Sequence, residues 1–266
     1  MRAVDIRVYV GNGRLNRLTK TFKHNWIFYL QEALGLGIFM VSACFFGAIL
    51  ESNHSPIHPL IPNPLVRRVI MGLMMGGTAL FIFYSPFTAP SGSHINPAVT
   101  LTFFRLGKMG SCDSLFYMLF QFAGGLTAVY GMGFLMGEIL TSAPVFYVVT
   151  VPGSKGPLAA ALTELIIAFC MIAMILYTSA DPKWKPYTRI ISAVFVCIYV
   201  IITVPLSGFG MNPARTMASA IPAHIYTSLW IYLLMPVAGM LLAAELFLLT
   251  GKKSGIETHP SQASIH

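Results

Sequence analysis

Two copies of one polar motif interrupt a chain that is otherwise apolar. Residues 91–100 read SGSHINPAVT and residues 207–216 read SGFGMNPART, so the pattern Ser-Gly-x-x-x-Asn-Pro-Ala occurs twice. The asparagine side chain has an NH2 group that donates hydrogen bonds and an oxygen that accepts them. Two such amides brought together could bind a polar solute without changing it chemically. The repeated residues are Asn96, Pro97 and Ala98 in the first copy and Asn212, Pro213 and Ala214 in the second.

Each motif predicts the start of a short helix. Asparagine is a favoured N-cap, and proline suits the first helical position because its missing N–H would be unsatisfied there anyway. The apolar pieces 96–106 and 212–221 have about ten residues each. Helices of that size are about 15 Å long, half the roughly 30 Å thickness of a membrane's hydrocarbon core. We therefore predict two half-helices that reach only halfway across.

The segments before the half-helices, 87–95 and 207–211, are predicted to be non-helical backbone inside a membrane. Such backbone is tolerated only where protein buries it or where it lines a water-filled path. Small residues would let its carbonyl groups line a narrow lumen with no bulky side chain in the way. These small residues are Ser91, Gly92, Ser93, Ser207, Gly208 and Gly210.

The composition is that of an integral membrane protein. Of 266 residues, 56% are hydrophobic and 10% are charged, with a mean hydropathy of +0.71, whereas soluble domains have roughly 25% charged residues. The net charge of +8 does not indicate a nucleic-acid partner, because the basic residues lie between and outside the apolar runs. We find no nucleophile, metal-ligand spacing or phosphate loop, and predict neither an enzyme nor a cofactor or metal.

Six apolar runs are long enough to cross a membrane as helices. Thirteen of the 17 Lys and Arg residues fall in the tails and in the loops near 105–113 and 181–189, and three fall in the alternate connections. By the positive-inside rule, this asymmetry puts both termini in the cytoplasm. The remaining basic residue is Arg215, inside the membrane. The predicted spans are 26–50, 66–86, 114–138, 158–180, 187–206 and 228–250.

The two halves of the chain match each other. Glu32 lies early in the first span and Glu164 early in the fourth, and each is followed by a second span and a motif. Because each half has three spans, an odd number, the second half must be inverted relative to the first. The predicted parts are a basic cytoplasmic N-terminal tail at 1–25, one channel domain at 26–250 with repeats at 26–138 and 158–250, and a cytoplasmic C-terminal tail at 251–266.

These features make the chain similar to the aquaporin and glycerol-facilitator family, the major intrinsic proteins. SGSHINPAVT and GMNPAR are highly specific to that family, and the resemblance covers essentially residues 26–250. It implies an all-α integral membrane fold, a bundle of six transmembrane helices plus two re-entrant half-helices in an inverted repeat. It also implies a pore in each subunit of a homotetramer, which would lie in the lipid bilayer of the cell membrane.

The resemblance suggests roles for single residues. Asn96 and Asn212 look like the paired amides at the pore centre, and Arg215 resembles the arginine of the outer selectivity filter. A charge inside a membrane costs several kcal/mol and usually has a function. His94 matches the histidine that faces the cytoplasmic half of the pore, and Ser93 lies beside it.

Two buried carboxylates have two possible roles. Glu32 and Glu164 resemble the family's glutamates that accept hydrogen bonds from the N–H groups of the re-entrant loops. A proton relay is the alternative for carboxylates inside a membrane.

The predicted selectivity filter departs from that of water-selective members. Where those channels carry a histidine, this chain has Val200, and Phe209 is the residue type found in glycerol-conducting members. The second-span filter position falls at Met75 or Gly76. Without the histidine the aperture would be wider and more apolar. Thr216, where glycerol channels have aspartate, indicates the opposite preference.

We therefore expect a passive channel for water and small uncharged solutes such as glycerol that excludes ions and protons. The positive ends of the half-helix dipoles and Arg215 would repel cations. A strictly water-selective aquaporin is the alternative. A secondary transporter, which also builds its site from broken helices, is less expected because only Glu32, Glu164 and His94 could couple transport to ions.

Overall fold

The computed structural model describes residues 3–252 and residue 255, with side chains from residue 16 onward. Over these residues the chain is helical and has no strand. Six of the helices are long and apolar enough to cross a membrane, which confirms the six predicted spans. They are α1 (Ala3–Glu51), α2 (Pro64–Tyr84), α4 (Ser111–Met136), α6 (Gly156–Ala180), α7 (Thr188–Ser207) and α9 (Leu229–Leu249).

Two half-length helices complete the predicted architecture. One, α3 (Pro97–Arg105), follows α2, and the other, α8 (Pro213–Ala223), follows α7. A single turn, α5 (Glu138–Thr141), lies between α4 and α6. Of the tail predicted at 251–266, all but residues 251, 252 and 255 lie outside the described part of the chain.

The first helix is longer than the predicted span. The predicted span starts at residue 26 because basic residues precede it, yet α1 already begins at Ala3. Lys and Arg are good helix formers, so a basic segment does not end a helix. Near the predicted boundary, Nδ2 of Asn25 and the hydroxyl of Tyr29 donate to Oδ1 of Asp113 in α4, at 2.9 and 2.7 Å. These buried bonds attach the early part of α1 to the bundle.

The helices pair as an inverted repeat requires. The most extensive contacts join α1 to α4 and α6 to α9, which are equivalent pairs in the two halves, and α2 to α7, which joins the halves. A glycine allows each equivalent pair to pack closely. A Cβ on Gly124 of α4 would overlap the backbone of Ala33, and one on Gly239 of α9 would overlap that of Leu165. Because Ala33 and Leu165 each directly follow one of the two predicted loop-supporting glutamates, these contacts fix where the glutamates lie.

An ion pair ties the first half-helix to the last span. Arg105 at the end of α3 meets Glu245 of α9, with Nε 2.7 Å from Oε1 and Nη2 2.9 Å from Oε2. Both side chains are about half exposed, so the pair contributes at most about 1 kcal/mol. The sequence alone gave no role for Glu245, because its partner is 140 residues away.

We predict that Gly124→Ala destabilises the protein and that Gly131→Ala on the same helix does not. A methyl group at position 124 must displace the backbone of α1, and such overpacking costs about 1–3 kcal/mol. Nothing lies within 4 Å of a Cβ at Gly131, where alanine is the better helix former by roughly 1 kcal/mol. Thermal unfolding of both variants in detergent measures the difference, and a Gly124→Ala midpoint at or above that of the unmodified protein would contradict the close packing of α1 on α4.

Candidate functional site

The two half-helices are capped in the same way. The side-chain oxygen of Asn96 accepts the N–H of Ala98 at 2.9 Å, so α3 begins at the first motif. The side-chain oxygen of Asn212 accepts the N–H groups of Ala214 and Arg215 at 3.0 and 3.2 Å, so α8 begins at the second. Each asparagine thus satisfies N–H groups that the helix itself leaves free.

The same two asparagines join the repeats to each other. Nδ2 of Asn96 donates to the carbonyl of Met211 at 2.8 Å, and Nδ2 of Asn212 donates to the carbonyl of Ile95 at 2.7 Å. This reciprocal pair holds the N-termini of α3 and α8 side by side. An NH2 group has two hydrogens, and within the described structure each amide makes one such donor bond. A second N–H of each therefore remains for a solute.

The loops that precede the half-helices share an unusual backbone. In each loop, the glycine that follows the serine, the residue after that glycine and the residue just before the asparagine have positive φ angles. Residues other than glycine adopt this conformation at a cost of roughly 1–2 kcal/mol each, so surrounding contacts must impose it. The six residues and their φ angles are Gly92 (91°), Ser93 (50°), Ile95 (44°), Gly208 (77°), Phe209 (56°) and Met211 (49°).

Glu32 holds the first loop in this conformation. Its Oε1 accepts the N–H of His94 at 2.9 Å and the hydroxyl of Ser91 at 2.7 Å, and its Oε2 accepts the N–H of Ile95 at 2.6 Å. The amide of Gln121 donates to Oε2 at 2.7 Å. With four donors, the fully buried carboxylate has the partners that a charge away from water requires.

Glu164 holds the second loop in the same way. Its Oε1 accepts the N–H of Gly210 at 2.8 Å and the hydroxyl of Ser207 at 2.6 Å, and its Oε2 accepts the N–H of Met211. The Gly210 position needs glycine, because a Cβ there would lie 2.5 Å from the ring of Tyr232. Both carboxylates thus bind loop backbone, and neither lines the cavity described below.

Sequence reasoning missed three side chains that support the same loops. The hydroxyl of Tyr117 donates to the carbonyl of Ser91 at 2.8 Å, and that of Tyr232 donates to the carbonyl of Ser207 at 2.7 Å. The tyrosines occupy matching positions in α4 and α9, so a residue-by-residue alignment of the two repeats would have found them. Gln121 has no such counterpart, because the matching region of α9 is apolar around Pro236.

A cavity of about 880 Å³ leads from one end of the bundle to the asparagine pair. Lys108, Lys185 and Arg189 line its mouth, and Asn96 and Asn212 lie at its deep end. Among the described side chains, no group of three His, Cys, Asp or Glu could hold a metal ion. The walls between mouth and amides are mostly apolar and include Phe39, Phe83, Met171, Ile175, Val196 and Met240.

The predicted lining residues separate into two groups. Ser93, His94 and Gly210 line the cavity. Nδ1 of His94 is 3.2 Å from the hydroxyl of Thr100, and its ring centroid is 4.4 Å from that of Phe103. Gly208 lies instead against the 150–151 loop, where a Cβ would be 3.2 Å from the carbonyl oxygen of residue 151.

Three of the predicted filter residues lie in the apolar core. Met75, Val200 and Phe209 belong to one buried apolar cluster. Gly76, the alternative to Met75, faces the contact between α2 and α7, where a Cβ would lie 2.8 Å from that of Cys197. The rotation of α2 thus turns position 76 toward a neighbouring helix, and neither Met75 nor Gly76 lines the cavity.

Arg215 is the one predicted filter residue that carries a charge. It is 8% exposed, and its Nη1 is buried with no hydrogen-bond partner among the described residues. A buried guanidinium N–H without a partner is costly, so Arg215 retains a donor that the described residues do not satisfy. Neither Arg215 nor Val200 is among the residues that line the cavity.

Comparison with known proteins identifies relatives of this chain. The family model for the major intrinsic proteins matches residues 18–247. Aquaporin NIP2-2 of Zea mays is 34% identical over 158 residues, which are 59% of this chain and 52% of that protein. Aquaporin-4 of Mus musculus is 31% identical over 191 residues, 70% of this chain and 57% of its own. The chain spans about half the length of the curated relatives it matches.

A solved structure has the same fold. The X-ray structure of the aquaglyceroporin from Plasmodium falciparum superposes with a TM-score of 0.68 at 18% identity. The match covers 82% of this chain and 93% of that one.

We predict that Glu164→Gln strongly destabilises the protein, whereas Glu138→Gln leaves its stability nearly unchanged. A glutamine at 164 places an NH2 group among N–H and O–H donors, so a buried loop donor loses its acceptor, at a cost of about 3 kcal/mol or more. Glu138 is exposed, and the same change there removes no buried bond. Thermal unfolding in detergent compares the two, and similar midpoints would show that the carboxylate does not hold the loop.

Proposed function

Because this chain belongs to the major intrinsic proteins, a family of passive channels, we propose that it conducts water and small uncharged solutes such as glycerol and excludes ions and protons. It is a multi-pass membrane protein and not an enzyme. The observation that carries the proposal is the pair of buried amides, Asn96 and Asn212, at the deep end of a cavity.

The two amides can replace the hydrogen bonds to water that a polar solute loses when it enters the cavity. Taking a hydroxyl group out of water without a replacement hydrogen bond costs several kcal/mol. One N–H from Asn96 and one from Asn212 can donate to the same solute oxygen, since the two side chains are held beside each other. The Nη1 of Arg215 offers a further donor. This row of donors supports passage of molecules that carry an acceptor oxygen.

The electrostatics support the exclusion of cations. The N-termini of α3 and α8 meet, so the positive ends of two helix dipoles face one point. Among the residues that line the cavity in the described structure there is no Asp or Glu. A cation would therefore lose its hydration shell and find no negative charge in exchange. Because both amides donate, a water molecule between them has its oxygen turned toward both, which interrupts a proton-conducting chain of waters.

The apolar character of the filter residues supports solutes larger than water. Phe209 lines the cavity and belongs to the same buried apolar cluster as Val200 and Met75, so the carbon backbone of a polyol can pack against hydrocarbon there while its hydroxyls face the donors. A filter of this kind selects by width and polarity. A strictly water-selective channel would require the same three side chains to close the aperture to about the width of one water.

The placement of the glutamates supports passive flow over ion-coupled transport. A coupling residue must face the path of the solute and exchange a proton or ion with it. Glu32 and Glu164 are both fully buried and bound to loop N–H groups. Neither is among the residues that line the cavity.

We extend the proposal to the assembly and orientation of the protein. The cavity mouth carries the basic loops that the positive-inside rule assigns to the cytoplasm. Large apolar side chains such as Leu158, Leu162 and Ile166 remain exposed along one face of α6, where lipid or another subunit can cover them. A homotetramer in the cell membrane, with both termini in the cytoplasm, is consistent with these surfaces.

We expect proteoliposomes that contain the protein to shrink rapidly in an impermeant osmolyte and to re-swell rapidly in glycerol. Both responses are measured by stopped-flow light scattering against empty liposomes. Rapid shrinkage without re-swelling would contradict the glycerol part of the proposal and leave a water channel. Uptake that requires a proton gradient would contradict passive flow.

We predict that Val200→His lowers glycerol permeability more than water permeability. The imidazole adds bulk to the filter, and the wider molecule is excluded first. Val200→Thr is the matched control, because it adds polarity at nearly constant volume and should change the ratio of the two permeabilities little. If histidine lowered both permeabilities equally, position 200 would not lie at the narrowest point.

A further inference from the structure

The mouth of the cavity carries charge that the proposed pore does not need. Lys108 lies in the loop between α3 and α4, Lys185 precedes α7, and Arg189 lies in its first turn, and all three line the mouth. The described lining contains no carboxylate. We call these three residues the cationic mouth.

The general excess of basic residues on this side does not explain the cationic mouth. Two other cations of the same region point elsewhere. Arg105 is paired with Glu245 at 2.7 Å, and Lys183 lies 5.9 Å from the centre of the Trp184 ring. The positive-inside rule concerns how many basic residues a loop carries, and it does not specify which of them face a cavity. The orientation of the three is therefore a feature of this cavity.

The chemistry of the mouth suits a phosphate group. A phosphate monoester carries about −1.5 to −2 charges and three strong acceptor oxygens. The guanidinium of Arg189, 5.6 Å from the centre of the Tyr84 ring, can bind two of those oxygens in parallel. Lys108 supplies further charge, and the hydroxyls of Thr188 and Ser192 also line the cavity. A carboxylate, with one charge, would balance only one of the two cations Lys108 and Arg189, whereas a phosphate can balance both.

We propose that the cationic mouth binds a phosphate group and that the bound phosphate obstructs the route to the asparagine pair. The cavity is continuous from Lys108 and Arg189 to Asn96 and Asn212, so an occupant of the mouth lies on the path of the solute. The phosphate could belong to a soluble ester or to a lipid headgroup, since the mouth lies where the ends of α2 and α7 leave the membrane. The obstruction assumes the proposed channel function, whereas the binding does not.

Binding is tested first, with the purified full-length protein in detergent and inorganic pyrophosphate as the probe. Isothermal titration calorimetry at low ionic strength should give binding that weakens on the order of tenfold in Lys108→Gln and in Arg189→Gln, as each removes a charge-assisted hydrogen bond. Lys183→Gln is the matched control, because it removes one charge from the same side of the protein but not from the mouth. An equal loss in Lys183→Gln, or no binding by the unmodified protein, would overturn the proposal.

Obstruction is tested in phosphatidylcholine liposomes with pyrophosphate on both sides. The readout is the ratio of water permeability with and without pyrophosphate at equal ionic strength. This ratio should fall several-fold for the unmodified protein and for Lys183→Gln, and should fall clearly less for Arg189→Gln. A ratio near one for the unmodified protein, at a concentration that saturates binding, would refute the obstruction.

The source of the phosphate is tested by adding phosphatidic acid to the liposomes without pyrophosphate. A lower permeability that Arg189→Gln restores would assign the mouth to a lipid headgroup, and an unchanged permeability would assign it to a soluble phosphate. If no variant conducted water under any condition, the proposed channel would fail, and calorimetry alone would decide the site.

Discussion

The structure depends on satisfying the backbone N–H groups of two irregular loops inside an apolar bundle. Each buried N–H without an acceptor costs about 1–3 kcal/mol, and neither loop can use the regular bonds of a helix. Glu32 and Glu164 each accept two of these N–H groups and a serine hydroxyl. The close contacts of α4 with α1 and of α9 with α6 place both carboxylates at the required depth. The loops in turn hold the two asparagines where the half-helices begin.

The two sides of the asparagine pair differ although the repeats are alike. Three residues after each asparagine, the first repeat has Val99 and the second has Arg215. Val99 lines the cavity, whereas Arg215 is buried and is not among the residues that line it. Duplication thus supplies the symmetric centre, with its capped helices and crossed hydrogen bonds. Differences between the repeats, such as Val99 against Arg215, then make the two sides of the centre chemically unlike.

Basic and acidic side chains have different positions along the path from the cavity mouth to the asparagine pair. The two buried carboxylates near it face backbone N–H groups, and the carboxylates of Glu51 and Glu245 are paired with arginines at the ends of the bundle. Lys108, Lys185 and Arg189 face the mouth. A solute therefore meets cations, then an apolar wall, then hydrogen-bond donors, and no anionic side chain in the described lining. This arrangement is what the proposed selection of neutral solutes and the proposed anion site at the entrance both require.

The sequence by itself determined the architecture, because the features that specify it are local. Span length follows from membrane thickness, and each Asn-Pro pair marks a helix start through its own capping chemistry. The tertiary structure decided what depends on contacts between distant residues. Tyr117 and Gln121 support a loop near residue 91, and Glu245 pairs with Arg105, across 26 to 140 residues of chain. Whether position 75 or 76 faces the filter depends on the rotation of α2 against α7. That rotation is set by how the helices pack, with Gly72 and Gly76 both against α7, and the sequence alone does not say which helix lies opposite these glycines.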